Sequence, residues 1–222
     1  ILAAIESAGY ACDGHLLALN SYENRVYQIG LDDGSKIIAK FYRPERLSDA
    51  AILEEHAFLA ELTAAELPCI APLRSEAGAT LLTHGTFRFA LFPRQGGHAP
   101  NLESAANLEV LGRTLSRIHR IGRTQRFKHR PSFTAERLGV QSVEFVLTHG
   151  FVPAELINAY TSLTAHLLER IRGHPIPAAG RIHGDCHPGN VLWRDDAPHF
   201  VDFDDTVMGP AVQDLWMLLS GE

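Results

Sequence analysis

The sequence predicts an α+β fold in two lobes: an antiparallel sheet with one long helix, then a mainly helical lobe. Strand-like runs separated by turns fill residues 15–42, and helical periodicity dominates after residue 101. A break rich in Gly and Pro at residues 93–100 separates the two patterns. Because strands and helices occur in blocks and do not alternate, a parallel sheet with crossover helices is not expected. We expect the lobes to span residues 1–93 and 94–222, with a ligand cleft between them.

Composition excludes several classes of protein. The chain has 222 residues, 45% hydrophobic and 21% charged, which is ordinary for a globular domain. Its net charge of -6 gives no basic footprint for nucleic acid. No apolar run is long enough to span a bilayer, and residues 1–20 lack a signal-peptide pattern, so no membrane partner is expected. Three cysteines at unrelated spacings predict free thiols and a cytoplasmic location.

The N-terminal lobe is predicted element by element. A short helix covers residues 1–9, and strands cover 25–29 and 36–42 on either side of an Asp-Asp-Gly turn. A helix begins at Ser48 and ends before Pro68, with apolar residues at three- and four-residue spacings. Residues 73–82 and 86–92 are then expected to form a hairpin.

The C-terminal lobe begins with a predicted helix over residues 102–121, capped by Asn101. A second helix is expected over residues 153–172. Gly184, Pro188 and Gly189 exclude a helix over residues 183–190, which should form a loop. Two apolar strands, 191–194 and 199–203, follow on either side of a turn.

The loop and hairpin hold a spaced set of oxygen-bearing side chains. Asp185 precedes Asn190 by five residues, and Asp202 follows on the next strand. Phosphoryl transfer needs a carboxylate to orient and deprotonate the attacking hydroxyl, and hard oxygen ligands for Mg²⁺ on ATP. Kinases meet both needs with this spacing of Asp, Asn and Asp. The sequence therefore predicts Asp185 as the catalytic base and Asn190 and Asp202 as Mg²⁺ ligands.

A lysine upstream completes the set. Lys40 ends an Ile-Ile-Ala-Lys run on a predicted strand, which is similar to the strand that carries the phosphate-binding lysine of kinases. A carboxylate on the following helix should hold its ammonium group. Glu54 and Glu55 are both available, and Glu55 is favoured because Leu59 and Leu62 lie four and seven residues later on the same face.

The segment that should cover the phosphates has no G-x-G-x-x-G. Residues 20–27 instead form a polar turn in which Ser21 and Arg25 could contact phosphate oxygens. A plain polar hairpin turn explains these residues equally well.

Other readings of the same residues stay open. His183, Asp185, Cys186 and His187 could hold zinc, but the glycines and Pro188 deny the helix that would bring them together. Asp204 is a weak candidate metal ligand, whereas Asp205 is expected to be structural.

Two motifs carry a family resemblance. The run from His183 through Asp185 to Asn190, followed by Val-Asp-Phe-Asp at 201–204, resembles the aminoglycoside phosphotransferase/choline kinase-like family, which has a protein-kinase-like fold. Residues 20–28, 40–46 and 209–216 resemble bacterial stress-response serine/threonine kinases within it. The resemblance implies that Asp214 braces the catalytic loop and His119 is a packing residue. It also implies a hinge at Phe92 and Pro93 that contacts adenine, and a phosphate-covering segment in place of the glycine loop: Ser21, Tyr22, Glu23, Asn24 and Arg25.

The predicted function is that of an ATP- and Mg²⁺-dependent kinase, most specifically a stress-response enzyme that phosphorylates Ser or Thr of a protein. One alternative is a small-molecule kinase acting on an aminoglycoside, choline or homoserine. Another is a nucleotide-binding regulatory module without turnover, and a zinc hydrolase is the third. We expect a monomer, and a chain that is truncated within its C-terminal helices.

Overall fold

A computed structural model describes residues 1–21, 23–174 and 179–219. The predicted α+β class is confirmed. The helices are α1 Leu2–Ser7, α2 Asp49–Ala64, α3 Ala105–Gly122, α4 Gln141–Thr148, α5 Ile157–Arg172 and α6 Val212–Leu219. The strands are β1 Cys12–Leu19, β2 Arg25–Leu31, β3 Lys36–Phe41, β4 Leu82–His84, β5 Phe87–Pro93, β6 Gly180–Ile182, β7 Val191–Arg194, β8 Ala197–Phe200 and β9 Val207–Gly209.

The first five strands form one antiparallel sheet in the order β1-β2-β3-β5-β4. Strand β3 lies at its centre, and Lys40 pairs with Val26 on one side and Ala90 on the other. Successive side chains of a strand point to opposite faces. Ile37 and Ala39 therefore enter the small core beneath α1, while Lys40 faces the other way.

Beyond the sheet, the strands form two small pairs, β6 with β9 and β7 with β8. The larger hydrophobic core joins α2 and α3 to the β7–β8 pair and contains Phe58, Leu115 and Phe200. Helix α2 thus contacts both the sheet side and the helical side of the molecule. The lobe boundary after residue 93 stays a prediction. Within the described ranges, no helix combines the length and apolarity that crossing a bilayer requires.

Four predicted boundaries are wrong. The first strand of the hairpin covers only Leu82–His84, because residues 75–79 turn back on themselves through hydrogen bonds between Ser75 and Ala79. The N-cap of α3 is Ser104, whose hydroxyl accepts from the amide of Asn107; Asn101 lies three residues earlier. The second hairpin strand ends at Phe200, because the backbone turns at Asp202. The helix expected at 153–172 begins as a 3-10 turn at 154 and becomes α-helical at Ile157.

A buried histidine joins α2 to the sheet. His56 is 3% exposed, and its two ring nitrogens lie 2.8 Å from the hydroxyls of Tyr42 and Thr80. Burial, with smaller contributions from Lys40 and Arg130, lowers the pKa of His56 to about 3. The imidazole is therefore neutral when the protein is folded at neutral pH.

This histidine predicts a loss of stability in acid. The unfolded chain takes up a proton near pH 6.5, while the folded chain resists it until about pH 3. The stabilisation is thus complete above pH 6.5 and decreases by about 1.4 kcal/mol for each pH unit below it. Urea unfolding between pH 7.5 and 4.5 should show a shallower pH dependence for His56→Gln than for wild type. His166→Gln, at an exposed side chain, should leave the slope unchanged.

Candidate active site

A cleft of about 280 Å³ lies between the five-stranded sheet and the β7–β8 hairpin. Its wall on the sheet side includes Ser21, Val26, Ile38 and Lys40, and its floor includes Leu192. Its lining also includes five further residues that the sequence singled out: Glu55, Phe92, Pro93, Asn190 and Asp202. Lys40, Glu55, Asn190 and Asp202, which are distant in sequence, therefore meet around one cavity.

The loop before β7 holds Asp185 beside the cleft. The Asn190 amide donates hydrogen bonds to the Asp185 main-chain oxygen at 2.9 Å and to its carboxylate at 3.2 Å. The Asp185 side chain is 37% exposed, so it is open to an acceptor. His183 is buried and stacks on Phe203 with ring centroids 4.3 Å apart. The loop is thus fixed at both ends, while its carboxylate stays accessible.

Gly184 allows this loop to approach the chain that follows β8. Its φ of +88° is in the left-handed region that favours glycine. A Cβ atom there would lie 2.1 Å from the main-chain oxygen of Asp205. No other residue type fits this contact without displacing the loop.

Asp214, at the start of α6, braces the loop from behind. It is completely buried, and its carboxylate accepts hydrogen bonds from the amides of His183 at 3.0 Å and Gly184 at 2.8 Å. The Nε2 atom of His119 lies 2.8 Å from the same carboxylate. Asp214 therefore satisfies two backbone donors that would otherwise be buried without partners.

The ammonium group of Lys40 lies between two carboxylates of the segment after β8. Its Nζ is 2.9 Å from Asp202 and 2.8 Å from Asp204. Burial alone would lower the pKa of Lys40, but Asp204, Asp202 and Glu55 together raise it well above its ordinary value. Burial alone would raise the pKa of Asp202, and Lys40 reverses this, so the pKa lies below its usual range. Lys40 is charged throughout the physiological pH range.

Glu55 is a more distant partner of Lys40. Its Oε1 is 4.0 Å from Nζ and has no hydrogen-bond partner among the described residues. Its Oε2 accepts from Arg130 at 3.3 Å. Burial raises the pKa of Glu55 to about 7, although Lys40 opposes the shift. The predicted pair exists in the structure as a buried contact without a direct hydrogen bond.

The residues predicted to hold Mg²⁺ have the right chemistry. Mg²⁺ prefers hard oxygen donors and keeps part of its water. Asp202 offers a carboxylate that is 38% exposed, and Asn190 offers a side-chain oxygen, since its nitrogen is the atom bonded to Asp185. Asp202 has φ +57° and ψ +67°, an unusual conformation for aspartate that turns the chain at the cleft. These oxygen donors fit a Mg²⁺ ion that faces the cleft.

The zinc alternative finds no support among the described residues. Both ring nitrogens of His183 are engaged, with the main-chain oxygen of Val201 and the amide of Asp185. Cys186 is fully buried, and burial raises the pKa of its thiol above its usual range. No group of three or more His, Cys, Asp or Glu is placed to hold a metal within residues 1–21, 23–174 and 179–219.

The structure describes four of the five residues predicted to cover the phosphates. Ser21 lines the cleft and also a second groove, whose lining includes Glu23, Asn24 and Arg25. Glu23 pairs with Arg46 at 3.2 Å. Asn24 donates to Asp204 and accepts from the amide of Arg43. Tyr22 lies outside the described residues.

Two long-range contacts were not predicted from the sequence. Arg130 is 5% exposed and donates to the main-chain oxygens of Ala51, Asp204 and Thr206, which ties α2 to the segment after β8. Glu54, the alternative to Glu55, accepts three amide hydrogen bonds from residues 128–130 and so anchors that loop. Both contacts join segments more than 70 residues apart, and no local pattern signals them.

The comparisons with known proteins agree with this geometry. A model of the family described as "Phosphotransferase enzyme family" matches residues 15–222. Stress response kinase A of Escherichia coli strain K12 is 42% identical over 224 residues, covering 100% of this chain and 68% of that protein. Serine/threonine protein kinase RdoA of Salmonella typhimurium is 41% identical, with 100% and 68% covered.

A solved structure also has this fold. Amicoumacin kinase hAmiN in complex with AMP-PNP, Ca²⁺ and Ami superposes with a TM-score of 0.79, covering 97% of this chain and 67% of that one. The two sequences are 20% identical, so this likeness shows the fold alone. The predicted kinase-like fold and family resemblance are confirmed.

Proposed function

This chain belongs to the phosphotransferase enzyme family, and on that premise we propose that its cleft binds ATP with Mg²⁺ and transfers the γ-phosphoryl group to a hydroxyl. The observation that carries the proposal is the convergence of Lys40, Asn190 and Asp202 on one cleft, with Asp185 bonded to Asn190 at its edge. A phosphotransferase needs a base, a cation for the phosphates and oxygen ligands for a metal. Each of these groups is present.

In the proposed reaction, Asp185 orients the acceptor hydroxyl and takes its proton. The hydroxyl oxygen forms a bond to the γ-phosphorus while the bond to the β,γ-bridging oxygen breaks and ADP leaves. The amide of Asn190 keeps the Asp185 carboxylate in place, and the charge of Lys40 stabilises the phosphate oxygens. Asn190 and Asp202 would hold Mg²⁺, which offsets negative charge on the triphosphate when bound.

The nucleotide is proposed to lie with adenine against the apolar end of the cleft. Phe92, Pro93, Ile70 and Leu192 line that region, and Phe92 and Pro93 end strand β5. Ser21 lines the cleft on the same side as Lys40 and is the proposed contact for phosphate oxygens. A deep apolar slot with charged groups at one end suits a nucleotide.

For the acceptor, we propose Ser or Thr of a protein. The support is the 41–42% identity to relatives named stress response kinase A and serine/threonine protein kinase RdoA. The structural likeness to an amicoumacin kinase keeps a small-molecule acceptor as the second candidate. A cytoplasmic monomer remains our expectation.

The acceptor can be identified by following labelled γ-phosphate from Mg-ATP with the full-length protein. The protein is tested alone, with a generic basic protein, and with a panel of amino alcohols and aminoglycosides. Label on Ser or Thr of either protein supports the first candidate. Label on a small molecule alone replaces it with the second, and bound ATP without transfer favours a regulatory nucleotide-binding module.

A further inference from the structure

Asp204 occupies the position where the kinase template has the glycine of Asp-Phe-Gly, and it is buried, with 5% of its surface exposed. Both of its carboxylate oxygens are engaged. Oδ1 lies 2.8 Å from the ammonium of Lys40, and Oδ2 accepts from the side-chain amide of Asn24. Arg46 approaches the same carboxylate at 3.9 Å. Burying a charged carboxylate lowers the stability of the folded protein unless all of its partners are present.

Asp204 is also a direct ion-pair partner of Lys40. The distance from Nζ to Asp204 is 2.8 Å, against 4.0 Å to Glu55. Glu55 is held away by Arg130, which contacts its other oxygen. Asp202 is as near to Lys40 as Asp204, but its more exposed carboxylate faces the cleft as a proposed metal ligand. Asp204 can therefore keep its ion pair with Lys40 when Asp202 binds a metal.

The second partner of Asp204 connects it to the wall of the cleft. The Asn24 side chain donates to Asp204 and accepts from the amide of Arg43 at 3.0 Å. Asn24 is 6% exposed and lies three residues after Ser21, whose hydroxyl accepts from the Asn24 amide at 3.3 Å. A chain of hydrogen bonds thus runs from Asp204 through Asn24 to Ser21, at the wall of the cleft.

We propose that Asp204 is a positioning residue that fixes Lys40 directly, and Ser21 through Asn24, for nucleotide binding. This inference rests on the proposed function, in which Lys40 and Ser21 contact the phosphates of the bound nucleotide. Asp204 is not a metal ligand in this assignment, because Lys40 and Asn24 occupy its oxygens. A lysine and a serine that are already held in position lose less conformational freedom on nucleotide binding than mobile side chains would.

The test compares Asp204→Asn, Asn24→Ala and the exposed-turn control Asp196→Asn in the full-length protein. Calorimetry with AMP-PNP measures affinity without turnover, and steady-state assays measure kcat and the KM for ATP. Asp204→Asn should weaken AMP-PNP binding by about tenfold to a hundredfold, as expected for the loss of a charge-assisted contact. Asn24→Ala should raise the KM for ATP several-fold with kcat within about twofold of wild type. Asp196→Asn should match wild type in both.

The double variant Asn24→Asp with Asp204→Asn exchanges the two groups and restores their hydrogen bond. This double variant should recover the melting temperature that Asp204→Asn loses. Its affinity for AMP-PNP should stay below that of wild type, because Lys40 then faces a neutral amide. Wild-type AMP-PNP affinity in folded Asp204→Asn would overturn the proposal. If Asp204→Asn does not fold, the test is Asn24→Ala, and an unchanged KM for ATP in that variant would overturn the proposal. Wild-type protein that binds AMP-PNP but transfers no phosphate contradicts the proposed function alone.

Discussion

Asp185→Asn is expected to reduce kcat by about 10² to 10⁴, the range typical of removing a general base. The amide cannot take the proton from the acceptor hydroxyl. Its shape is retained, so the contacts with Asn190 at 2.9 and 3.2 Å need little rearrangement. AMP-PNP should therefore bind to the variant within about twofold of wild type. The measurement is steady-state phosphate transfer together with nucleotide calorimetry.

Asp196→Asn is the matched control, because it makes the same change on an exposed turn between β7 and β8. It should keep wild-type kcat. If Asp185→Asn retains more than a tenth of wild-type kcat, Asp185 is not the base.

Asp214→Ala is expected to lower the free energy of unfolding by about 3–5 kcal/mol, as for breaking a buried hydrogen-bonded charge network. The change leaves the amides of His183 and Gly184 without an acceptor in a fully buried site. It also removes the partner of His119. Urea unfolding of the full-length variant measures the loss, and kcat should fall with it although Asp185 is intact.

A matched change to Ala at exposed Glu169 should alter stability by less than about 0.5 kcal/mol. If Asp214→Ala lowers the free energy of unfolding no more than Glu169→Ala does, the hydrogen bonds of the Asp214 carboxylate do not stabilise the loop.

Residues whose position depends on local pattern were predicted well. Periodicity distinguished Glu55 from Glu54, because only Glu55 shares a helix face with Leu59 and Leu62, and it is fully buried in the structure. The strand predicted over residues 36–42 likewise forms, as Lys36–Phe41, and it carries Lys40. Glycine and proline positions identified the loop from 183 to 190, since no α-helix can pass through them; the loop ends in a 3-10 turn at Pro188–Asn190.

Residues whose position depends on distant contacts were not predicted. Arg130 reads as one of several basic residues in a loop, yet its guanidinium reaches residues 51, 55, 204 and 206. Asp204 seemed a weak metal candidate because neither Asn24 nor Lys40 is near it in sequence. The apolar residues of segment 73–81 suit a strand. The main-chain groups of Ser75, however, bond to Gly78 and Ala79 within a local turn and are not available to a neighbouring strand.

The most direct single measurement is a single-turnover reaction of the full-length protein with γ-labelled ATP, with and without Mg²⁺, in the presence of the acceptor panel. We predict that label leaves ATP only when Mg²⁺ is present and appears as a phosphoester of a hydroxyl group. Protein that binds ATP and Mg²⁺ but leaves all the label in ATP with every acceptor would contradict the assignment of this cleft as a phosphotransferase site.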